Sequence, residues 1–247
     1  MIDQRVSLQT AVVLHQRPFK NTSAIVEFFT RDYGRVAALA QGLKRKNSKW
    51  QGVLQPFQLM QISWQGRGEL PRLTAAEPLG QIHYFVGESM FSALYVNELL
   101  LRVLHKGEAV PDLFSSYLTT IEHLLHDYDT VALRRFELVL LRTLGYELQL
   151  SHEAQSACAI QAEQEYCFIP GEGMFLLDDM NSHALRFRGA NLLAIDEDDF
   201  SNVQVAKDAR IILRLALQRV LGDKPLHTRE LLRRFKEMQR TAQQVPD

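Results

Sequence analysis

The stretch QPFQLMQISWQ, Gln55 to Gln65, alternates. Met60, Ile62 and Trp64 fall on one face and Gln61 and Ser63 on the other. That is the period of two of a half-buried β-strand, whose successive side chains leave opposite faces. Outward from it, TAVVLHQ (10–16), TSAIVEFFT (22–30), GRVAALAQ (34–41) and ELPRLTAAEP (69–78) are rich in β-branched, aromatic and small apolar residues. Gly34, Gly42, Gly52, Pro56, Gly66 and Gly68 punctuate them as turns. Five short strands within residues 9–79 suit a small closed barrel better than a sandwich, and a five-stranded Greek-key barrel of the OB type fits. SH3-like barrels are of similar size and pattern alike, so the segments by themselves leave both open.

The periodicity changes after Pro78. Phe91, Leu94, Tyr95, Leu99 and Val103 recur at helical spacing within Phe85 to Lys106, and Gly107 stops that helix. A second helix is expected from Pro111, acceptable in a first turn, to about His126. A third starts near Asp129 or Thr130 and ends at Gly145, with Leu133, Phe136, Leu140 and Leu144 facing inward. In residues 151–200 two strand-like pieces, EYCFIPG and GMFLLDD, flank a Pro170-Gly171 turn, and the acidic run Asp196 to Asp199 reads as a solvated turn or helix start. Residues 203–221 give an amphipathic helix, broken by Gly222 and Pro225, and Thr228 can cap a last basic helix. The expected organisation is α+β. A barrel spans 1–80 and a helical core 81–150. A small irregular or β insert spans 151–204, and C-terminal helices at 205–247 pack on the helical core.

A chain of 247 residues, 46% hydrophobic and 23% charged, can bury a sizeable core without disulfides. Cys158 and Cys167 make no disulfide framework. Met1 to Leu14 holds no apolar run of signal-peptide length and no stretch reaches transmembrane length, so the expected compartment is the cytosol with reduced thiols. The net charge of -1 hides a segregation. Residues 1–80 carry eleven Lys/Arg against five Asp/Glu, and residues 205–247 carry ten against five. Residues 151–204 carry two against ten. Basic ends and an acidic middle suggest a polyanion partner for the basic regions.

Catalytic signatures are missing. No P-loop, GxGxxG, GxSxG or HExxH motif occurs. His123 and His126 sit three apart with no nearby third ligand. A zinc ribbon needs two Cys-x-x-Cys pairs, and Cys158 and Cys167 are singletons with only His152 near them. Neither metal nor cofactor is expected.

What remains is charge. GLKRKNSKWQG, Gly42 to Gly52, carries Lys44, Arg45, Lys46 and Lys49 and no acid, in a loop between the third and fourth strands. Arg17, Lys20, Arg35, Arg67 and Arg72 lie elsewhere on the barrel, with Phe19, Trp50 and Trp64 interleaved. Single-stranded nucleic acid sites combine a basic groove with aromatic stacking platforms. Trp64 shares a face with Met60 and Ile62 and is expected in the core, which leaves Trp50 as the stacking candidate.

Leu14 to Phe57, LHQRPFKNTSAIVEFFTRDYGRVAALAQGLKRKNSKWQGVLQPF, resembles the N-terminal domain of the RecO family of bacterial recombination and repair mediators. SALYVNELLLRVL (92–104), LRRFELVLLRTLGY (133–146) and GDKPLHTREL (222–231) match the same family in order. The resemblance implies an N-terminal OB domain, a helical core and a small insert that carries a zinc ribbon in some members. The Cys-x-x-Cys pairs are absent here, so this chain resembles the zinc-free branch, with a degenerate ribbon-like insert. It further implies a non-enzymatic cytoplasmic, nucleoid-associated protein that binds single- and double-stranded DNA and anneals strands. Its implied partners are RecR and the single-stranded-DNA-binding protein, and it helps RecA load onto DNA coated by the latter. The DNA-binding set is then Arg17, Lys20, Arg35, Lys44, Arg45, Lys46, Lys49, Trp50 and Arg67. By the same resemblance the acidic, Phe-ending tail of the single-stranded-DNA-binding protein docks on the third helix at Arg134, Arg135, Leu141 and Leu144. Two competing readings are a protein-binding adaptor whose barrel touches no DNA, and a metal-dependent nuclease using Asp178, Asp179 and Asp196 to Asp199.

Overall fold

The computed structural model describes residues 4–80, 84–126, 129–177 and 185–243. Five strands, β1 (Gln4–Phe19), β2 (Ser23–Thr30), β3 (Gly34–Ala40), β4 (Leu59–Gly66) and β5 (Arg72–Pro78), come first. They close a barrel in the order β1-β2-β3-β5-β4. All neighbours are antiparallel except β3 and β5, which meet in parallel through Leu39 and Arg72 alone. This is the OB arrangement. Val13, Val26, Phe28, Ala38, Met60, Ile62, Trp64 and Leu73 fill the interior. β4 alternates as its sequence demands, with Met60, Ile62 and Trp64 buried and Gln61 and Ser63 half-buried.

Helices follow: α1 (Glu88–Val103), α2 (Pro111–His126) and α3 (Thr130–Thr143). A small sheet of β6 (Glu165–Ile169), β7 (Gly173–Leu176) and β8 (Arg186–Arg188) is ordered β7-β6-β8. Then come α4 (Gly189–Asp196), α5 (Val203–Leu221) and α6 (His227–Gln243). The acidic run Asp196 to Asp199 is an exposed turn that closes α4, with Glu197 as its C-cap, and not a helix start. The chain divides into two compact units, Met1–Tyr128 with Pro225–Asp247, and Asp129–Lys224. This division cuts through the helical core expected at 81–150: α1 and α2 go with the barrel, and α3 with the insert.

In the barrel unit, helices pack directly on β2 and β3. β2 is buried from Ala24 to Thr30, on both faces. Val26 and Phe28 point into the barrel, while Phe29 meets Phe114 and Tyr117 of α2 edge-on, at 5.2 and 6.0 Å between ring centres. β1 pairs through Val13 and His15 but skips Leu14, a bulge that takes the Leu14 carbonyl out of the ladder. The buried Asn97 amide of α1 donates to that carbonyl at 3.0 Å, and Tyr117 donates its hydroxyl to Asn97 Oδ1 at 2.8 Å. Burial pushes the Tyr117 phenol far above its ordinary pKa, so it stays a donor. At β3, Gly34 (φ 58°) lies so close to the Glu108 carbonyl that a Cβ would sit 1.8 Å from the oxygen. Glycine is required there.

α6 returns onto α1, with Phe235 against Phe91 at 5.0 Å. Its cap is not its own Thr228 but a carboxylate from α1. Glu98 accepts from the backbone N–H groups of His227 and Thr228 and from the Thr228 hydroxyl, at 2.7–2.9 Å. A carboxylate there satisfies first-turn N–H groups and complements the helix dipole. Burial opposes the charge. The Thr228 bonds, the His227 amide and Arg102 outweigh it and hold the Glu98 carboxyl below its ordinary value. A carboxyl depressed in the folded state stabilises fully above the unfolded pKa, and that contribution fades as pH falls through the folded one. Glu98→Gln should therefore lower stability by about 1 kcal/mol near neutral pH, on the scale of a lost cap. Thermal melts across the acid range should show the gap between parent and variant closing as pH drops below the glutamate range. A gap independent of pH would show that the charge of Glu98 is not what caps α6.

Candidate nucleic-acid interface

The C-terminal end of β3 is a meeting point. Ala40 faces Ala24, just past the β1–β2 turn that carries Lys20. Leu39 faces Arg72, just past the β4–β5 turn that carries Arg67, and its N–H bonds to the Pro71 carbonyl at 2.8 Å. The basic loop departs from the same place. In an OB barrel these turns flank the ligand face. Arg17, Lys20, Lys44, Arg45, Lys46, Lys49, Arg67 and Arg72 are exposed around this end, and Glu69 is the acid in its turns.

The loop is built, not floppy. Gly42 to Val53 is a chain of tight turns, with N–H to carbonyl bonds from Arg45 to Gly42, Ser48 to Arg45, Gln51 to Ser48 and Val53 to Trp50, at 3.0–3.2 Å. One end is tied to the β1–β2 turn by Lys44 N–H to the Thr22 carbonyl at 3.0 Å. At the other end Lys49 Nζ donates to the Thr74 carbonyl of β5 at 2.8 Å and lies 4.2 Å from the centre of the Trp50 ring. The loop thereby covers the seam where β3 and β5 share one residue pair.

Two of the expected DNA contacts are corrected. Trp50 is 4% exposed, packs with the barrel core and donates its indole N–H to the Gln41 carbonyl at 3.0 Å. It plugs the barrel and offers no face for stacking. Phe19, the half-buried last residue of β1, with Lys20 Nζ 5.5 Å from its ring centre, is an aromatic at this end. Arg35 is consumed inside the unit. Its Nε pairs with buried Glu27 at 3.1 Å and Nη1 donates to the Leu101 and Leu104 carbonyls at the end of α1. It caps a helix, where a cation is favoured. Thr74 and Gln41, which seat Lys49 and Trp50, had no sequence signal, because they act through backbone carbonyls set by tertiary placement.

In the second unit the four residues expected at the tail site have different surroundings. Leu141 is 1% exposed and belongs to the core. Arg134 Nη1 pairs with Glu137 at 3.0 Å, and those side chains are 11% and 2% exposed, so Arg134 is not a solvated surface cation. Arg135 Nε reaches both Asp198 oxygens at 2.8 and 3.0 Å, in an exposed pair, with Phe200 5.6 Å from its guanidinium. Leu144 is the half-buried C-cap of α3, and nine residues on from Arg135 it lies about two and a half turns away, on the opposite side of the helix. Asp199 accepts from the Ser201 N–H, so Asp198 and Asp199 are both engaged locally. Asp178 and Asp179 lie outside the described residues. Among the described residues no group of three or more His, Cys, Asp or Glu is placed to hold a metal, and no helix is long and apolar enough to cross a membrane. Cys167 is buried in β6 and Cys158 is exposed.

The charge segregation follows the units. The barrel unit carries eighteen Lys/Arg against fourteen Asp/Glu, and the other ten against fifteen. An OB barrel with an exposed cationic end, carried with helices, is an arrangement used by nucleic-acid-binding proteins. Comparison with known proteins gives the family. Residues 5–82 match the model "Recombination protein O N terminal" and residues 86–230 match "Recombination protein O C terminal". DNA repair protein RecO of Coxiella burnetii (strain RSA 493 / Nine Mile phase I) is 40% identical over 229 residues, covering 93% of this chain and 99% of that protein. Its counterpart in Nitrosococcus oceani is 40% identical over 235 residues, covering 95% and 96%. That of Burkholderia orbicola is 38% identical over 232 residues, covering 93% and 83%. The chain belongs to the RecO family of DNA repair proteins.

The Arg134–Glu137 pair can be tested directly. Arg134→Ala removes the guanidinium from a carboxylate that is almost wholly buried, and should cost about 3 kcal/mol of stability, as breaking a buried pair does. Arg134→Met with Glu137→Met removes both charges and should recover most of that loss in a denaturant melt. Equal stability of Arg134→Ala and the parent would place Arg134 in solvent.

Proposed function

We propose that the chain binds single-stranded DNA at the cationic end of the barrel and acts as a non-catalytic mediator of recombinational repair. In this reading it anneals complementary strands in the cytoplasm, on the nucleoid. With RecR it helps RecA load onto DNA coated by the single-stranded-DNA-binding protein. The observation that carries the reading is the convergence at the end of β3 of the β1–β2 turn, the β4–β5 turn and the basic loop, eight exposed cations with one acid in the turns. Phosphates need exposed cations on a fixed surface, and Phe19 supplies a ring for a base. The outer face of β2 and β3, where many OB barrels hold their ligand, is covered by α1 and α2 here, so the strand is received at the loops.

Lys44, Arg45 and Lys46 are the cations of the loop to remove, because Lys49 also holds the loop to β5. Each phosphate contact contributes about -0.7 to the slope of log affinity against log salt for single strands, so replacing all three with Ala should flatten the slope by about 2. A fluorescent single-strand titration at several salt concentrations measures it, and melting temperature should not move. An unchanged slope, with weak binding in the parent as well, would favour the adaptor reading.

For the acidic tail of the single-stranded-DNA-binding protein we propose Arg135 as the receiving cation. Its exposed pair with Asp198 is worth at most about 1 kcal/mol and is exchangeable for another carboxylate. Arg135→Glu should weaken binding of a tail peptide, and Asp198→Asn should strengthen it, since the internal competitor is gone. Opposite or absent effects in a peptide titration would remove Arg135 from the tail site.

A further inference from the structure

The unit Asp129–Lys224 carries fifteen acids against ten Lys/Arg, and much of that cationic charge is spent on the acids. Arg134, Arg135, Arg142 and Arg186 each sit in an ion pair, with Glu137, Asp198, Glu147 and Glu165. Arg219 donates to the Pro170 carbonyl. α5 is different. Lys207, Arg210 and Arg214 are exposed and follow at intervals of three and four, so they share one outward stripe of the helix. Positions three and four residues to either side of each hold no acid. The acid that α5 does carry, Asp208, is buried on the inward side, where Asn191 donates to it at 2.6 Å and Gln204 at 2.7 Å. None of the three cations takes part in an ion pair among the described residues.

Like charges at such spacing destabilise a helix by some tenths of a kcal/mol per pair, and a unit with surplus acid could neutralise them at no structural cost. Three cations kept together and unneutralised on an acidic unit are arranged for an anion from outside. Its class follows from the shape of the face. A peptide partner needs a concave apolar anchor site. α5 offers instead the convex side of a helix, on which Val203 and Ile211 are exposed singly along the line of the cations and form no pocket with them. A phosphate backbone asks only for exposed Lys and Arg along a line.

We propose that the outward stripe of α5, Lys207, Arg210 and Arg214, is a second nucleic-acid backbone contact, on the unit that does not contain the barrel. The inference rests on strand binding by the barrel end and extends it. A polyanion surface on each unit would let one chain hold the two strands that annealing brings together.

The test uses the full chain and three forms of it: the parent, Lys207→Gln/Arg210→Gln/Arg214→Gln, and Lys44→Ala/Arg45→Ala/Lys46→Ala. Each is loaded with one labelled oligonucleotide, and capture of a second, non-complementary oligonucleotide of another colour is followed by fluorescence. Annealing of complementary strands is measured in parallel. The α5 variant should bind the first strand like the parent, lose capture of the second, and anneal more slowly by about tenfold or more. The salt slope for second-strand capture should flatten by about 2, three contacts at about 0.7 each. The loop variant should lose first-strand binding instead. Second-strand capture and annealing at the parent's level in the α5 variant would overturn the proposal, as would loss of binding to an acidic peptide with no change toward DNA, which would assign the face to a protein. Failure of the barrel reading looks different: the loop variant would then bind the first strand as the parent does. Melting temperature reports the fold, and Ile211→Ala, which removes no charge, should leave capture intact.

Discussion

A bulge in a barrel strand leaves a backbone carbonyl without a ladder partner, and inside a dry interior an unpaired carbonyl costs about 1–3 kcal/mol. Leu14 is such a residue, and Asn97 answers it, held in turn by Tyr117. One carbonyl thus ties β1 to α1 and α2 through a network in which each polar group is either satisfied or expensive. Arg35 makes the same join a second time, as partner of Glu27 and as the cation at the end of α1. With helices fixed over β2 and β3, the middle of the OB face is closed. The strand ends and their turns are what a ligand can reach, and these are where the free cations lie.

Cations in this chain therefore come in two kinds, and net charge does not tell them apart. Arg35 and Arg134 have their charge met inside the fold by Glu27 and Glu137, both nearly buried. Lys44, Arg45 and Lys46 face water, in a loop whose ends are tied to β1–β2 and β5. A buried pair is a term in stability and a poor source of affinity, because its desolvation is already spent on the partner. An exposed cation on a rigid support is the reverse.

Much of this was legible in the sequence. Strict alternation from Met60 to Gln65 and turn residues between short apolar runs led to the five-stranded barrel, and Trp64 in register with Met60 and Ile62 could be placed in the core. The helix at 130–143 carries both a start signal, Asp129, and a stop signal, Gly145, while those at 111–126 and 203–221 were placed by Pro111 and by Gly222. Trp50 was misplaced because a Trp beside a Lys in a polar loop has the composition of a stacking platform. Only the tertiary course of the loop turns its ring into the barrel. Arg35 failed for a related reason: its partner Glu27 is eight residues away across a hairpin, and the α1 carbonyls sixty-six and sixty-nine. SAIVEFFT did carry a usable warning. A strand apolar on both faces has something packed on each, so its neighbour Arg35 had little room to face a ligand. On α3 the pattern read apolar and cationic residues as one groove. At 3.6 residues per turn Arg135 and Leu144 point opposite ways, which could have been counted from the sequence.

The build of the basic loop bears on how a segment of Gly, Lys, Asn and Ser could serve as the proposed interface. Such a composition would ordinarily remain mobile, and ordering it on a ligand would subtract from affinity about 1–2 kcal/mol of backbone entropy per residue fixed. Here that ordering is completed at folding. Trp50 and Leu54 bury in the barrel core, consecutive turns satisfy the backbone, and Lys49 takes a carbonyl that the single β3–β5 pairing leaves over. The residue that looked like a ligand contact is therefore what holds the proposed contacts in place. Trp50 gives up its face to the core, and in return Lys44, Arg45 and Lys46 stand at fixed positions beside the two turns, where a phosphate backbone can meet them without first organising the loop.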